Sequence, residues 1–127
     1  MMGSANHMCV LVVDDEPDIR ETLREAVEMA GCTAVLAANG EDALKLMTSR
    51  RPCMVIVDLM MPVMTGLELL HAMQQVPALA DLPVVISTSA PRRAPPGLPI
   101  LPKPIDLSAL WRWMRQNCRC GSAQLTI

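Results

Sequence analysis

Three short runs of the chain, Cys9 to Val13, Met54 to Leu59 and Pro83 to Thr88, are almost wholly apolar and show no polar alternation. A strand with one wet face alternates, whereas a strand covered on both faces does not. Between and after these runs the apolar period changes to that of helices. Ile19, Leu23, Val27 and Ala30 recur with charges between them, behind Pro17 at a first-turn position and ahead of a closing Gly31. Glu41 to about Arg50 predicts a second helix with Ala43, Leu44 and Met47 inward. Gly66 to Gln75 predicts a third with Leu67, Leu70, Ala72 and Met73 toward the sheet. Asp106 can cap a last helix bearing Leu107, Leu110, Trp111 and Met114 on one face, which leaves Trp113 off that face. Thr33 to Ala38 and Leu98 to Leu101 supply two further strands. Alternating strands and helices imply βαβ units, a parallel sheet and helices on both of its faces. Pro99 and Pro102 lack ladder donors, which assigns the fifth strand to an edge.

The bulk properties bound the rest. At 127 residues the chain is one domain with room for a single core. The chain has no Phe or Tyr and carries 11 Met, and those within the domain take up part of the core filling, where they pack adaptably but specify loosely. A net charge of -2 leaves no basic footprint for nucleic acid. No apolar run approaches the roughly 20 residues of a membrane span. Five cysteines, an odd number without a secretory signal, read as free thiols in a reducing cytosol, and Cys118-Arg119-Cys120 lacks metal-ligand spacing. Residues 1–8 read as a tag or disordered tail, 9–120 as the domain and 121–127 as a tail or linker stub.

Polar residues at the ends of the apolar runs carry the chemistry. Asp14 and Asp15 close the first strand, Asp58 the third, Thr88 the fourth, and Lys103 follows the fifth between two prolines. In a parallel sheet all these ends share one edge, so the residues converge. Taken singly, an Asp can cap a helix, Thr88 can end a strand and Lys103 can be a solvated charge. The set resists that reading, and Asp58 most of all, because no helix begins until about Gly66. Three carboxylates at one edge repel, and a hard divalent cation with oxygen ligands is the usual way to hold them.

With Val12-Val13-Asp14-Asp15-Glu16, Asp58 followed by Met61-Pro62, Met64 and Gly66, Thr88 after the fourth strand, and Lys103-Pro104, the chain resembles the receiver domain of bacterial two-component response regulators from Cys9 to about Cys120. The resemblance implies a flavodoxin-like, doubly wound α/β fold with five parallel strands in the order 2-1-3-4-5. It implies a cytoplasmic phosphorelay protein whose Asp58 accepts a phosphoryl group from a sensor histidine kinase or histidine phosphotransfer protein, with an output partner left open. It also implies a Mg²⁺ site made by Asp14 (mainly through water), Asp15, Asp58 and the backbone carbonyl of Met60, with Lys103 and Thr88 on the phosphoryl oxygens. Such a domain catalyses only its own phosphorylation and dephosphorylation. Lys103-Pro104 is the family's usual place for a cis peptide bond.

The chain departs from that pattern in three places. Receivers usually carry an aromatic residue where Ile100 stands. Pro91, Pro95, Pro96 and Pro99 fall within Ala90 to Pro99, which predicts a fourth helix shortened or missing. Met60 and Ala90 occupy positions that flank the hydrolytic water in the family, and neither can orient it, so the resemblance implies a long-lived phosphoryl group. The alternative is an interaction module that works without phosphate. A Mg²⁺-dependent phosphohydrolase is disfavoured by Met60, where a second acid is needed.

Overall fold

The computed structural model describes residues 9–61 and 63–118. Its five strands are β1 (Cys9–Val13), β2 (Thr33–Ala37), β3 (Met54–Asp58), β4 (Val84–Thr88) and β5 (Ile100–Pro102). They form one parallel sheet in the order β2-β1-β3-β4-β5, as the family resemblance implies, with β5 at an edge, as its prolines predict. The helices are α1 (Pro17–Met29), α2 (Gly40–Ser49), α3 (Gly66–Gln74) and α4 (Leu107–Asn117).

Each helix starts where its local chemistry dictates. Pro17 opens α1, and Gly31, at φ 92°, turns the chain out after it. Asn39 caps α2 by accepting from the Asp42 amide at 2.9 Å. Thr65 and Glu68 form a reciprocal capping box on α3, and Asp106 accepts from the Ser108 amide at the head of α4. The strand period of two then divides the core between the two faces of the sheet. Val10, Val12, Met54, Ile56 and Val85 pack under α1 and α4 with Leu23, Val27, Leu110 and Met114. Leu11, Val13, Val55, Val57 and Ile86 pack under α2 and α3 with Ala43, Met47, Leu69 and Met73. Trp111 Nε1 donates to the Ala26 carbonyl at 3.0 Å and ties α4 to α1, while Trp113 is half-buried against the same cluster.

Between β4 and β5 the chain makes one 3-10 turn, Pro91–Arg93, where the sequence predicts a shortened or missing helix. Two expectations need correction. On α3 the buried residues are Gly66, Leu69 and Met73, whereas Leu67 is 46% exposed. Leu67, Leu69 and Leu70 lie so close together that composition does not fix the rotation of a nine-residue helix, and in the fold it is Leu69 that turns inward. The reading of free thiols also fails, because Cys53 and Cys118 form a disulfide. The topology brings the residue before β3 to the end of α4 with Cα atoms 5.3 Å apart, inside the range a disulfide spans, despite a sequence separation of 65. Cys9 remains a buried free thiol. Cys120 and the expected tails fall outside the described residues.

Candidate functional site

The carboxyl ends of β1, β3, β4 and β5 meet at one edge of the sheet, and the polar residues singled out by sequence meet with them. A cavity of about 390 Å³ is lined by Asp15, Glu16, Asp58, Met60, Thr88 and Lys103, together with Ser89, Ala90 and Arg93. Carboxylate oxygens of Asp14, Asp15 and Asp58 lie within 4.8 Å of one another. Asp14 and Asp58 are buried, and Asp15 is the more accessible of the three.

Lys103 stands among these acids. Its Nζ lies 3.0 Å from Asp14 Oδ2, 3.5 Å from Asp58 Oδ1 and 3.6 Å from Glu16 Oε1. The lysine is delivered by β5, whose last turn is held by Lys103 N donating to the Thr88 carbonyl at 2.9 Å. A cis Lys103-Pro104 bond follows. Burial works to lower the Lys103 pKa, but the hydrogen bond and charge of Asp14, joined by Asp58 and Glu16, outweigh it and raise the pKa above the ordinary lysine value. Asp58 is pushed up from 3.8 to about 6, first by burial and next by the charge of Asp14. Lys103 and the Met60 amide oppose that shift, and a hydrogen bond with Asp15 adds to it.

The loops around the edge hold these groups in place. Asp14 Oδ1 accepts from the Glu16 amide at 2.9 Å, and the Asp14 carbonyl accepts from Arg20 Nη1 at 2.7 Å, so α1 fixes the turn that carries the acids. Asp58 Oδ1 faces the Met60 amide at 3.4 Å. Gly66 N donates to the Leu59 carbonyl at 3.1 Å and brings the head of α3 against the end of β3. A Cβ on Gly66 would lie 2.5 Å from the Asp58 carbonyl oxygen, so only glycine fits. Thr88 Oγ1 accepts from the Ala90 amide at 2.9 Å and keeps its own proton to donate.

Every residue the sequence singled out is therefore at this edge. Sequence reasoning missed three others: Glu16, which faces Lys103; Arg20, which braces Asp14; and Arg93, which reaches the cavity from the 3-10 turn. Glu16 is adjacent to the acidic pair and could have been found by position. The two arginines have long side chains whose direction no spacing rule fixes.

Comparison with known proteins agrees with this geometry. Residues 10–94 match the sequence model of the response regulator receiver domain. A 14.6 kDa protein from the sodA1 3' region of Leptolyngbya boryana is 32% identical over 124 residues, covering 92% of this chain and 95% of its own length. The response regulator MprA of Mycolicibacterium vanbaalenii is 37% identical over 118 residues, and the match covers 87% of this chain but 50% of MprA. The chain thus spans about half the length of that regulator. Among solved structures, the Vibrio cholerae chemotaxis protein CheY4 superposes with a TM-score of 0.77 at 27% identity, covering 87% of this chain and 98% of CheY4. A response regulator receiver protein of Pseudomonas putida does so with a TM-score of 0.75 at 30% identity, covering 87% and 97%. The sheet order, the acidic edge and these matches together make the chain a member of the response regulator receiver domain family.

Proposed function

We propose that the chain is a phosphoacceptor whose Asp58 takes a phosphoryl group from a histidine kinase or histidine phosphotransfer protein. The observation that carries this reading is the convergence of Asp14, Asp15 and Asp58 with Lys103 at one sheet edge, beside an open cavity. Among the described residues the side-chain donors are all carboxylate oxygens, without thiolate or imidazole, and so fit a hard cation such as Mg²⁺. Asp14, Asp15 and Asp58, with the Met60 carbonyl, would hold it. Bound there, Mg²⁺ supplies positive charge for the equatorial oxygens of a phosphoryl group in transfer.

The protein's own groups do the rest by position. An Asp58 Oδ attacks phosphorus in line with the departing atom, the imidazole nitrogen of a phosphohistidine donor or the bridging oxygen of acetyl phosphate, which requires the ionised carboxylate. Lys103 supplies a fixed ammonium 3.5 Å from that carboxylate. Thr88 can turn its hydroxyl proton toward a phosphoryl oxygen while its oxygen still holds the Ala90 amide. Met60 and Ala90 present no side-chain group to orient a hydrolytic water, which favours a long-lived phosphoryl group. The intact acidic set supports this reading over a phosphate-independent interaction module. A cytoplasmic setting rests on the family alone, since the Cys53–Cys118 disulfide removes the argument from free thiols. The test is intact mass after exposure to acetyl phosphate. We expect one added phosphoryl group with Mg²⁺ and none with a chelator, and equal labelling in both conditions would refute the metal-assisted mechanism.

A further inference from the structure

We infer that Arg93 is a phosphoryl-binding residue of this site, carried by the single 3-10 turn that takes the place of a helix between β4 and β5. The inference rests on the phosphoacceptor reading above. Arg93 lines the same cavity as Asp58, Thr88 and Lys103. Among the described residues that line the cavity, the one other cation is Lys103, whose ammonium is already shared among Asp14, Asp58 and Glu16. Arg93 has no such commitment: among the described residues it has no hydrogen bond or ion pair through its side chain. A guanidinium left without a partner at the mouth of an acidic cavity is available to an incoming anion.

Backbone links connect that arginine to the reacting centre. Arg93 N donates to the Ala90 carbonyl at 3.0 Å, and Ala90 N donates to Thr88 Oγ1 at 2.9 Å. Two hydrogen bonds therefore set the turn that carries Arg93 relative to the Thr88 hydroxyl. Pro91 opens the turn, and Pro95 and Pro96 stop it, so the turn cannot extend into a helix that would carry the arginine away. The neighbouring Arg92 carries the same charge on the same turn but does not line the cavity.

In the transfer step, an Asp58 oxygen forms a bond to phosphorus as the donor's bond to phosphorus breaks, P–N in a phosphohistidine and P–O in acetyl phosphate. The electron pair leaves with the donor, as acetate when acetyl phosphate is used. Throughout, the non-bridging oxygens carry the negative charge, and the planar guanidinium can take two of them at once. Arg93 thus adds a second, bidentate cation where Lys103 supplies a point charge.

The experiment compares labelling rates with acetyl phosphate and Mg²⁺ for wild type, Arg93→Ala, Arg93→Lys and Arg92→Ala. Melting temperatures of the metal-free proteins serve as the folding control. We expect the second-order labelling rate to fall about tenfold in Arg93→Ala, the size of one charge-assisted hydrogen bond. Arg93→Lys should recover part of it, and Arg92→Ala should match wild type. Equal rates in wild type and Arg93→Ala would overturn the assignment while leaving Asp58 as the acceptor. An equal fall in Arg92→Ala would reduce the effect to general charge and overturn it too. A wild-type protein that takes no label would overturn both this inference and the reading it rests on.

Discussion

At the scale of single residues, the fold holds two residues at a local cost. Asp58 has a folded-state pKa of about 6 against an ordinary 3.8, chiefly because it is buried and next because Asp14 is beside it. The sign follows from proton counting. Below about pH 4 the carboxyl is protonated both folded and unfolded, and it costs nothing. Between about pH 4 and 6 the unfolded chain ionises first, so stability falls as pH rises, by up to about 3 kcal/mol above pH 6. Denaturant titrations in chelator at pH 4.5 and 7 should show this fall relative to Asp58→Asn, and identical pH slopes in the two proteins would contradict it. Val63, in the loop between β3 and α3, is a second such residue. It is a β-branched side chain at φ 69° and 77% exposed, so it bears left-handed strain with no packing in return. Val63→Gly or Val63→Asn should stabilise the protein by about 1 kcal/mol, read as a rise in denaturation midpoint, and a fall would show that the backbone is not strained there. Of this, only the mutual repulsion of the acids was legible beforehand. The sequence showed which acids converge, since strand ends share an edge, but not how deeply each is buried.

At the scale of elements, the close approach of α3 to β3 defines the floor of the loop after Asp58. Gly66 permits that approach, and Thr65 with Glu68 fixes where the helix begins. Gly66→Ala should therefore destabilise the protein by about 1–3 kcal/mol, as overpacking against backbone does, although alanine is the better helix former. Equal or higher stability in urea would mean that α3 can retreat freely from the Asp58 carbonyl. The strands and helices themselves could be read from apolar runs, caps and prolines. β5 fell at an edge because Pro99 and Pro102 leave it few donors, and the β4–β5 connection shrank to one turn because prolines crowd it. The rotation of α3 could not be read, because Leu67, Leu69 and Leu70 offer competing faces and only Leu69 is fully buried. The disulfide was hidden for a different reason. Cysteine parity says nothing about which strand start and which helix end the topology will bring together.

At the scale of the whole molecule, the fold acts as a scaffold that carries residues far apart in sequence to one edge. β1 brings Asp14 and Asp15, β3 brings Asp58, β4 brings Thr88 and β5 brings Lys103. The opposite end of the sheet is closed by the Cys53–Cys118 link between the start of β3 and the end of α4. This arrangement was the most legible feature of the sequence, because a parallel sheet turns a one-dimensional pattern of strand ends into a single site. The less legible parts were the long side chains of Arg20 and Arg93, which complete that site from helix and turn. The central claim is that the edge exists to place a phosphoryl group on one carboxylate. Peptide mapping by mass spectrometry after treatment with acetyl phosphate and Mg²⁺ tests it most directly. The label should fall on the peptide that contains Asp58 and vanish in Asp58→Asn, whereas label on another residue, or wild-type labelling of the Asn variant, would contradict the account.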